Sequence, residues 1–290
     1  MSAGRGCSGN RFFRQGDGGM WKIGRVFTVV RHVLVTGRLV PSSIAFVLTL
    51  ACLVSARREF SLHLMASALP IMFATMSSFM MNDLWDRSKD VRSGRHRPLA
   101  RGLISPATVA VGLCLSIIIA LLLGWWTCGI SSLYVVVAII VGAILYSPLA
   151  STIPVLKNLY AAGLCCAPMV FANAVVGRAL ISDGLVPILL FVSGRELLLD
   201  VMDLDGDVAS GQRTIPFYLH RCPSAMVGWI LMAVGTVLLL LLPAPLPSRV
   251  LRMAAATSLG WALLSGTRSR RTCRRLRLAM VLGSIGVGIR

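Results

Sequence analysis

The sequence predicts an all-α polytopic membrane protein, with about nine transmembrane helices in a bundle built from two related halves around a central cavity. Three observations predict this fold. Hydrophobic residues make up 56% of the 290 residues and charged residues only 14%, a composition outside the range of ordinary soluble domains. Basic residues are concentrated on one side of the predicted helices. A motif with three carboxylates occurs twice.

The N-terminal part of the chain differs from the rest. Residues 1–19 are rich in Gly and Arg, contain no apolar stretch and are predicted to be disordered. Residues 20–40 are apolar but interrupted by basic side chains such as Lys22, Arg31 and Arg38, which is typical of an interfacial amphipathic helix lying on the membrane surface. Residues 41–290 are predicted to form a single transmembrane domain.

Nine apolar runs follow, although several are shorter than the roughly 20 residues expected of a spanning helix. The runs are Pro41–Ala56, Leu62–Met81, Ser105–Trp126, Ile130–Tyr146, Leu159–Val176, Leu185–Leu199, Ser224–Leu242, Val250–Leu264 and Leu278–Ile289.

The distribution of basic residues predicts the orientation. With nine spans and a cytoplasmic N-terminus, 23 of the 29 Lys and Arg residues lie on the cytoplasmic side, as the positive-inside rule requires. The net charge of +18 is then expected to meet lipid headgroups and phosphates of the bilayer, and no nucleic-acid partner is predicted. The Arg-rich composition favours the plasma membrane of a bacterium.

Two acidic motifs, residues 82–102 and 195–216, organise the chain. Their carboxylates are separated by i, i+3 and i+7 in each motif, which places them in one stripe of a helix facing a single point. The flanking Val, Ser and Gly residues repeat at the same offset of 117 positions, which indicates a duplication. The matching acids are Asp83, Asp86 and Asp90 in the first motif and Asp200, Asp203 and Asp207 in the second.

The first acidic motif runs directly into a basic loop that contains Arg97. Carboxylates bind hard divalent ions, the ions bridge phosphate oxygens, and guanidinium groups neutralise the remaining charge. The pattern therefore predicts a site for a metal-bridged diphosphate. For some of the loop arginines, a role in membrane topology alone remains an alternative. In the second motif Glu196 shares the helical face of Asp200, whereas Asp205 points away.

The two motifs resemble a known family. Asn82-Asp83-x-x-Asp86-x-x-x-Asp90 followed by Arg97-Pro98-Leu99-Ala100-x-Gly102 closely resembles the first signature of the UbiA superfamily of intramembrane prenyltransferases. Arg195-Glu196, Asp200-x-x-Asp203-x-x-Gly206-Asp207 and Gly211-x-x-Thr214-x-Pro216 look like the second. The resemblance extends from about Arg38 to the C-terminus. One departure is the segment after Tyr146, where Leu149, Ala150 and Ser151 occupy positions at which the family carries a basic residue.

This resemblance implies a prenyltransferase domain that moves a prenyl group from an allylic prenyl diphosphate to a small hydrophobic acceptor, with Mg²⁺, two ions in number, as the cofactor. An aromatic ring or quinone precursor is the expected acceptor. The implied metal ligands are the six matching Asp residues, and Asn82 joins them as a catalytic residue. The implied substrate-binding residues are Arg97, Tyr146, Lys157 and Arg213.

Three alternatives remain open at this stage. A terpene cyclase of the same superfamily would ionise the same donor and close a ring without an acceptor. Prenyl transfer to a glycerol-phosphate lipid is favoured by the stretch from Arg195 to Pro216. A transporter would also combine intramembrane acids with internal repeats, but its carboxylates belong at the membrane midplane, whereas these cluster at one face.

Overall fold

The computed structural model describes residues 18–209, 211–264 and 270–288, and this part of the chain contains helices and no strand. The all-α prediction is therefore confirmed. The helices are α1 Gly18–Thr36, α2 Leu39–Arg57, α3 Leu62–Trp85, α4 Arg87–Arg92, α5 Pro106–Thr152, α6 Pro154–Val175, α7 Leu185–Ala209, α8 Ile215–Leu219, α9 Arg221–Leu241, α10 Leu246–Leu264 and α11 Arg270–Gly288.

Helix α1 corresponds to the predicted interfacial segment, with bounds that differ at both ends. It begins at Gly18 and ends at Thr36, because the backbone turns at Arg38, which adopts a left-handed conformation with φ 48°. Several apolar side chains of α1 are exposed, among them Phe27 and Val30. Its placement on a membrane surface stays a prediction. The disorder predicted for residues 1–19 falls outside the described residues except at the last two, which begin α1.

Five helices of the described chain are long and apolar enough to cross a membrane, which supports an integral membrane protein. They are Leu39–Arg57, Leu62–Trp85, Pro106–Ile130, Pro154–Val175 and Arg221–Leu241. The predicted count of nine is not confirmed. The apolar helix Ser132–Tyr146 is shorter than a full span, and α7 and α11 carry several charged residues.

Helix α5 consists of two helices joined at Gly129. The backbone there has φ 73° and ψ −174°, a conformation open essentially only to glycine. The break matches the boundary between the third and fourth apolar runs of the sequence. Because glycine has no Cβ, the chain can turn back towards the bundle at this residue.

The order of the helices confirms two related halves. In the first half, α3 carries an acidic motif and is followed by the short helix α4 and then α5. In the second half, α7 alone carries the other motif, since its last residues 204–209 match α4 at the repeat offset of 117, and α9 follows after the short helix α8. The helices that precede the acidic ones, α2 and α6, pack against each other.

Close helix packing holds the second acidic helix in place. Helix α7 packs extensively against α9, as α3 does against α5. At the α7–α9 contact Gly194 and Gly228 face each other, and a Cβ added at Gly194 would lie 2.4 Å from the Gly228 carbonyl oxygen. This approach requires glycine because any larger residue would overlap backbone atoms.

Candidate functional site

Both acidic motifs lie at one end of the bundle. We call this the acidic end: the last turn of α3, helix α4 with the loop to Gly102, the first turn of α6, and the last turns of α7 with the loop to Thr214. Ion pairs join the first motif to the second at two points. The duplicated sequence therefore converges on one region of the structure.

The two motifs end in the same local structure. Gly94 and Gly211 have φ 64° and 78°, and the residues after them donate their backbone N–H groups to the carbonyl oxygens of Asp90 and Asp207, at 3.0 Å and 2.8 Å. Each glycine also donates its N–H to a carbonyl three residues earlier. This is the Schellman arrangement of a helix C-terminus, for which glycine is preferred because of its positive φ. The repeated glycine is thus a repeated helix stop.

Four of the six matching carboxylates are buried. Asp83, Asp90, Asp200 and Asp207 are between 1% and 7% exposed. In contrast, the Asp203 side chain is 61% exposed. Asp86 is half-buried and lies at the junction where α3 ends and α4 begins. The predicted stripe of three acids on one continuous helix is therefore interrupted in the first motif, because the helix is distorted at Asp86.

Arg97 is the central partner of the first motif. Its Nη1 atom lies 2.8 Å from Asp83 Oδ1 and 2.8 Å from Asp90 Oδ2, so one guanidinium bridges two buried carboxylates. Arg38 also pairs with Asp83, at 3.4 Å, and its guanidinium lies over the Phe79 ring, 4.5 Å from the ring centre. Buried carboxylates require such partners, since burial without them is costly.

In the second motif the buried acid Asp200 is paired with Lys157 from the first turn of α6. The Lys157 ammonium donates to Asp200 Oδ1 at 2.7 Å. The remaining acids of α7 point in different directions. Glu196 is half-buried and paired with Arg195, whereas Asp205 is exposed and paired with Arg221. The buried acids Asp83 and Asp90 of the first motif thus pair with arginines, whereas Asp200 of the second pairs with a lysine.

Two basic side chains connect the motifs. Arg95 lies 3.3 Å from Asp203 and 3.9 Å from Asp90. Lys89 lies 3.7 Å from Asp207 and donates a hydrogen bond to the Gln212 side-chain oxygen. These contacts cross more than 100 positions of sequence and hold α4 and its loop against the end of α7.

Burial shapes the electrostatics of α4. Burial raises the pKa of the Asp90 carboxyl, although Arg97 opposes this change, and burial lowers the pKa of the Lys89 ammonium, opposed by Asp207. In both cases desolvation of the charged form is the larger effect. At both groups burial therefore favours the uncharged form, and the neighbouring opposite charge opposes it.

The other predicted residues surround these ion pairs. Tyr146 stacks on Tyr160 with ring centres 5.6 Å apart and interacts electrostatically with Glu196, Asp200 and Asp86. The tyrosine therefore lies close to acids of both motifs. Asn82 is half-buried on the last turn of α3. Arg213 is exposed, and its guanidinium lies over the Phe217 ring, 5.7 Å from the ring centre.

The described residues of the acidic end offer the kind of ligand that divalent ions prefer but no preformed metal cage. Among the residues that the structure describes, no three Asp, Glu, His or Cys side chains converge closely enough to hold one ion. The expectation that each triplet faces a single point is therefore not met, since Asp203 is exposed and the Arg97 guanidinium lies between Asp83 and Asp90. The donor set nevertheless fits Mg²⁺, since Asp90 Oδ1 and Asp200 Oδ2 are buried and accept no hydrogen bond, and Mg²⁺ prefers carboxylate oxygens.

Comparison with known proteins identifies the family. The model of the UbiA prenyltransferase family matches residues 43–283. The chain belongs to the UbiA prenyltransferase family. This UbiA protein is 29% identical over 184 residues to a digeranylgeranylglyceryl phosphate synthase of Natronomonas pharaonis and 28% identical over 181 residues to that of Haloquadratum walsbyi. These matches cover 60% and 59% of this chain and about six-tenths, 61% and 62%, of the length of the two relatives.

Solved structures of UbiA proteins share the fold. One comes from work on digeranylgeranylglyceryl phosphate synthase in membranes. It has a TM-score of 0.66 at 20% identity, with 90% of this chain and 98% of that chain covered. Another is a UbiA homologue from Archaeoglobus fulgidus bound to GPP and Mg²⁺, with a TM-score of 0.64 at 16% identity and coverage of 89% and 99%. The helical membrane bundle is therefore that of the UbiA family.

Sequence reasoning missed several residues of this acidic end. Lys89, Arg95 and Gln212 connect the motifs, and Arg38 reaches Asp83 from the turn between α1 and α2. Arg38 was expected inside the interfacial helix. The sequence offered one signal for two of these residues, since Arg95 and Gln212 each directly follow the glycine that is repeated in the two motifs.

Proposed function

We propose that this UbiA-family protein transfers a prenyl group from an allylic prenyl diphosphate to a glycerol-phosphate lipid. The observation that carries the proposal is the meeting of the two acidic motifs at one end of the bundle, where Arg95 and Lys89 of the first motif pair with Asp203 and Asp207 of the second. A diphosphate between the motifs would meet carboxylates for a bridging divalent ion and cations for its own charge.

The relatives favour this acceptor over an aromatic one. Those described above are named digeranylgeranylglyceryl phosphate synthase, which supports the glycerol-phosphate alternative better than the aromatic or quinone-precursor ring expected first. The Archaeoglobus homologues bound to GPP or DMAPP support a prenyl diphosphate as donor. An acceptor with a phosphate group also suits an acidic end rich in Lys and Arg.

The proposed roles follow the geometry. The six matching Asp residues would hold Mg²⁺, two ions in number, and Mg²⁺ would neutralise the leaving diphosphate. Arg97 and Lys157 already contact three of these acids, Asp83, Asp90 and Asp200, and would stabilise phosphate oxygens next to them. Asn82 would orient the first motif. Arg213, which is exposed in the loop after α7, would bind substrate at the solvent-exposed edge of the acidic end.

The reaction breaks the bond between the allylic carbon and the diphosphate oxygen and leaves both electrons on the diphosphate. The acceptor hydroxyl then forms a new bond to the allylic carbon and releases its proton. The aromatic face of Tyr146, beside acids of both motifs, is placed to stabilise positive charge on the prenyl group. The apolar bundle below the acidic end limits the access of water to that charge.

The test is a product assay with purified protein in lipid, Mg²⁺ and a panel of prenyl diphosphates. Each donor is offered with a prenylated glycerol phosphate, with a phenolic acid, or with no acceptor. The proposal predicts a prenylated glycerol phosphate and released pyrophosphate, and neither product when Asp83 is replaced by Asn. A prenylated phenol would identify the aromatic acceptor instead, and a hydrocarbon formed without acceptor would identify a cyclase.

A further inference from the structure

Lys89 belongs to the first acidic motif, but its side chain is directed towards the second. It lies in the six-residue helix α4, and its side chain is only 15% exposed. Its ammonium reaches the second motif, where it donates to the Gln212 side-chain oxygen and lies 3.7 Å from the buried acid Asp207. Arg87, two residues earlier on the same helix, is exposed.

The surroundings of Lys89 are rich in positive charge. Arg95 from the loop after α4 and Lys157 from α6 both interact electrostatically with it, as do Asp207 and Asp86. Three cations from three separate segments therefore share one partly buried region. Like charges repel strongly where water is scarce, so these cations are stabilised by Asp207 and Asp86 and would be stabilised further by a phosphate held between them.

The hydrogen-bonding capacity of Lys89 points to one more partner. An ammonium group has three N–H donors and no acceptor. The hydrogen bond to Gln212 uses one of these donors, and Asp207 at 3.7 Å is an ion-pair partner beyond hydrogen-bond distance. A charged phosphate oxygen on a remaining donor would form a stronger hydrogen bond than the neutral amide oxygen of Gln212 does.

We propose that Lys89 binds a phosphate group of the substrate at the junction of the two motifs, and that Gln212 holds the ammonium in position. This inference rests on the proposed function, since it assigns a ligand to the same site. The phosphate belongs either to the diphosphate of the donor or to the glycerol phosphate of the acceptor, and the recognising chemistry is the same for both.

The test compares Lys89→Met with Arg87→Met, a control that removes the same charge from the exposed side of α4. Lys89→Met is expected to raise the KM of the donor or of the acceptor by about 10- to 100-fold, as loss of a hydrogen bond to a charged group does. Lys89→Arg should recover most of this loss, and Arg87→Met should change neither KM. Unchanged KM values for both substrates in Lys89→Met would overturn the inference.

A binding measurement separates phosphate recognition from a structural role. At one concentration, inorganic pyrophosphate with Mg²⁺ is expected to raise the unfolding temperature most for the wild type, less for Gln212→Leu, which keeps the ammonium but not its positioning partner, and least for Lys89→Met. Equal loss of the shift in Lys89→Met and Gln212→Leu would show that Lys89 only ties the motifs together, which contradicts phosphate binding. If pyrophosphate leaves the wild type unaffected, the proposed function itself fails.

Discussion

Two glycines of the second acidic motif are expected to respond in opposite directions to the same substitution. Gly211 ends the motif with φ 78° and makes the helix stop that places Gln212. Gly206 lies inside α7 and has open space around it, with no atom within 4 Å of an added Cβ. Gly211→Ala should therefore destabilise the protein, and Gly206→Ala should stabilise it.

The magnitudes follow from the backbone conformation. An L-residue in the left-handed region costs about 1–2 kcal/mol, partly offset by about 0.4–1 kcal/mol because Ala restricts the unfolded chain. Gly211→Ala should thus lower the free energy of unfolding by roughly 1 kcal/mol, whereas Ala in the interior of a helix gains about 0.5–1 kcal/mol over Gly, as Gly206→Ala would. The two variants should differ by about 1.5–2 kcal/mol.

The assay is thermal unfolding of both variants in one detergent, with mid-transition temperatures compared with that of the wild type. A change of 1 kcal/mol corresponds to about 2–4 °C for a chain of this size class. Gly94→Ala, the equivalent change in the first motif, should match Gly211→Ala. If Gly211→Ala melts at or above the temperature of Gly206→Ala, the repeated helix stop is not what fixes the ends of the two motifs.

Three further predictions concern packing, charge and orientation. Gly194→Ala should lower the free energy of unfolding by about 1–3 kcal/mol, because the added Cβ would overlap the backbone of α9. Gly163 has open space around it, so Gly163→Ala should cause no such loss. Unfolding in detergent measures both variants. Arg97→Leu leaves two buried carboxylates without their shared partner and should cost about 3 kcal/mol at neutral pH. Without the guanidinium the pKa of the Asp90 carboxyl rises further, so the deficit should shrink as pH falls, and a deficit that is constant with pH would contradict the role of Arg97. Cys222 is exposed at the start of α9. If the acidic end faces the cytoplasm, Cys222 should react with a membrane-impermeant maleimide only from the cytoplasmic side. Reaction from the other side would contradict the predicted orientation.

The duplication was readable from the sequence because it recurs in both spacing and residue type. The equal separation of the acids and the repeated glycine predicted two matched motifs, and the structure gives both the same helix ending. The interruption at Asp86 was not predictable, since a regular spacing of polar residues does not reveal whether a helix continues through them.

The contacts between the motifs were not readable in the same way. Arg95 and Lys89 reach acids more than 100 positions away, and such pairings depend on how α4 lies against α7. Arg38 was expected on a surface helix, but a left-handed backbone at that residue directs it towards Asp83. The count of nine spans is not confirmed, because apolar runs alone do not separate a spanning helix from a buried or short one.

The most direct test is the Mg²⁺-dependent binding of a prenyl diphosphate to the wild type, to Asp83→Asn, to Asp200→Asn and to the double variant. If both motifs form one site, a single ligand binds per chain, each single variant weakens binding severely, and the double variant is little worse than either one. Two independent sites would instead leave each single variant with half of the binding capacity and make the losses add.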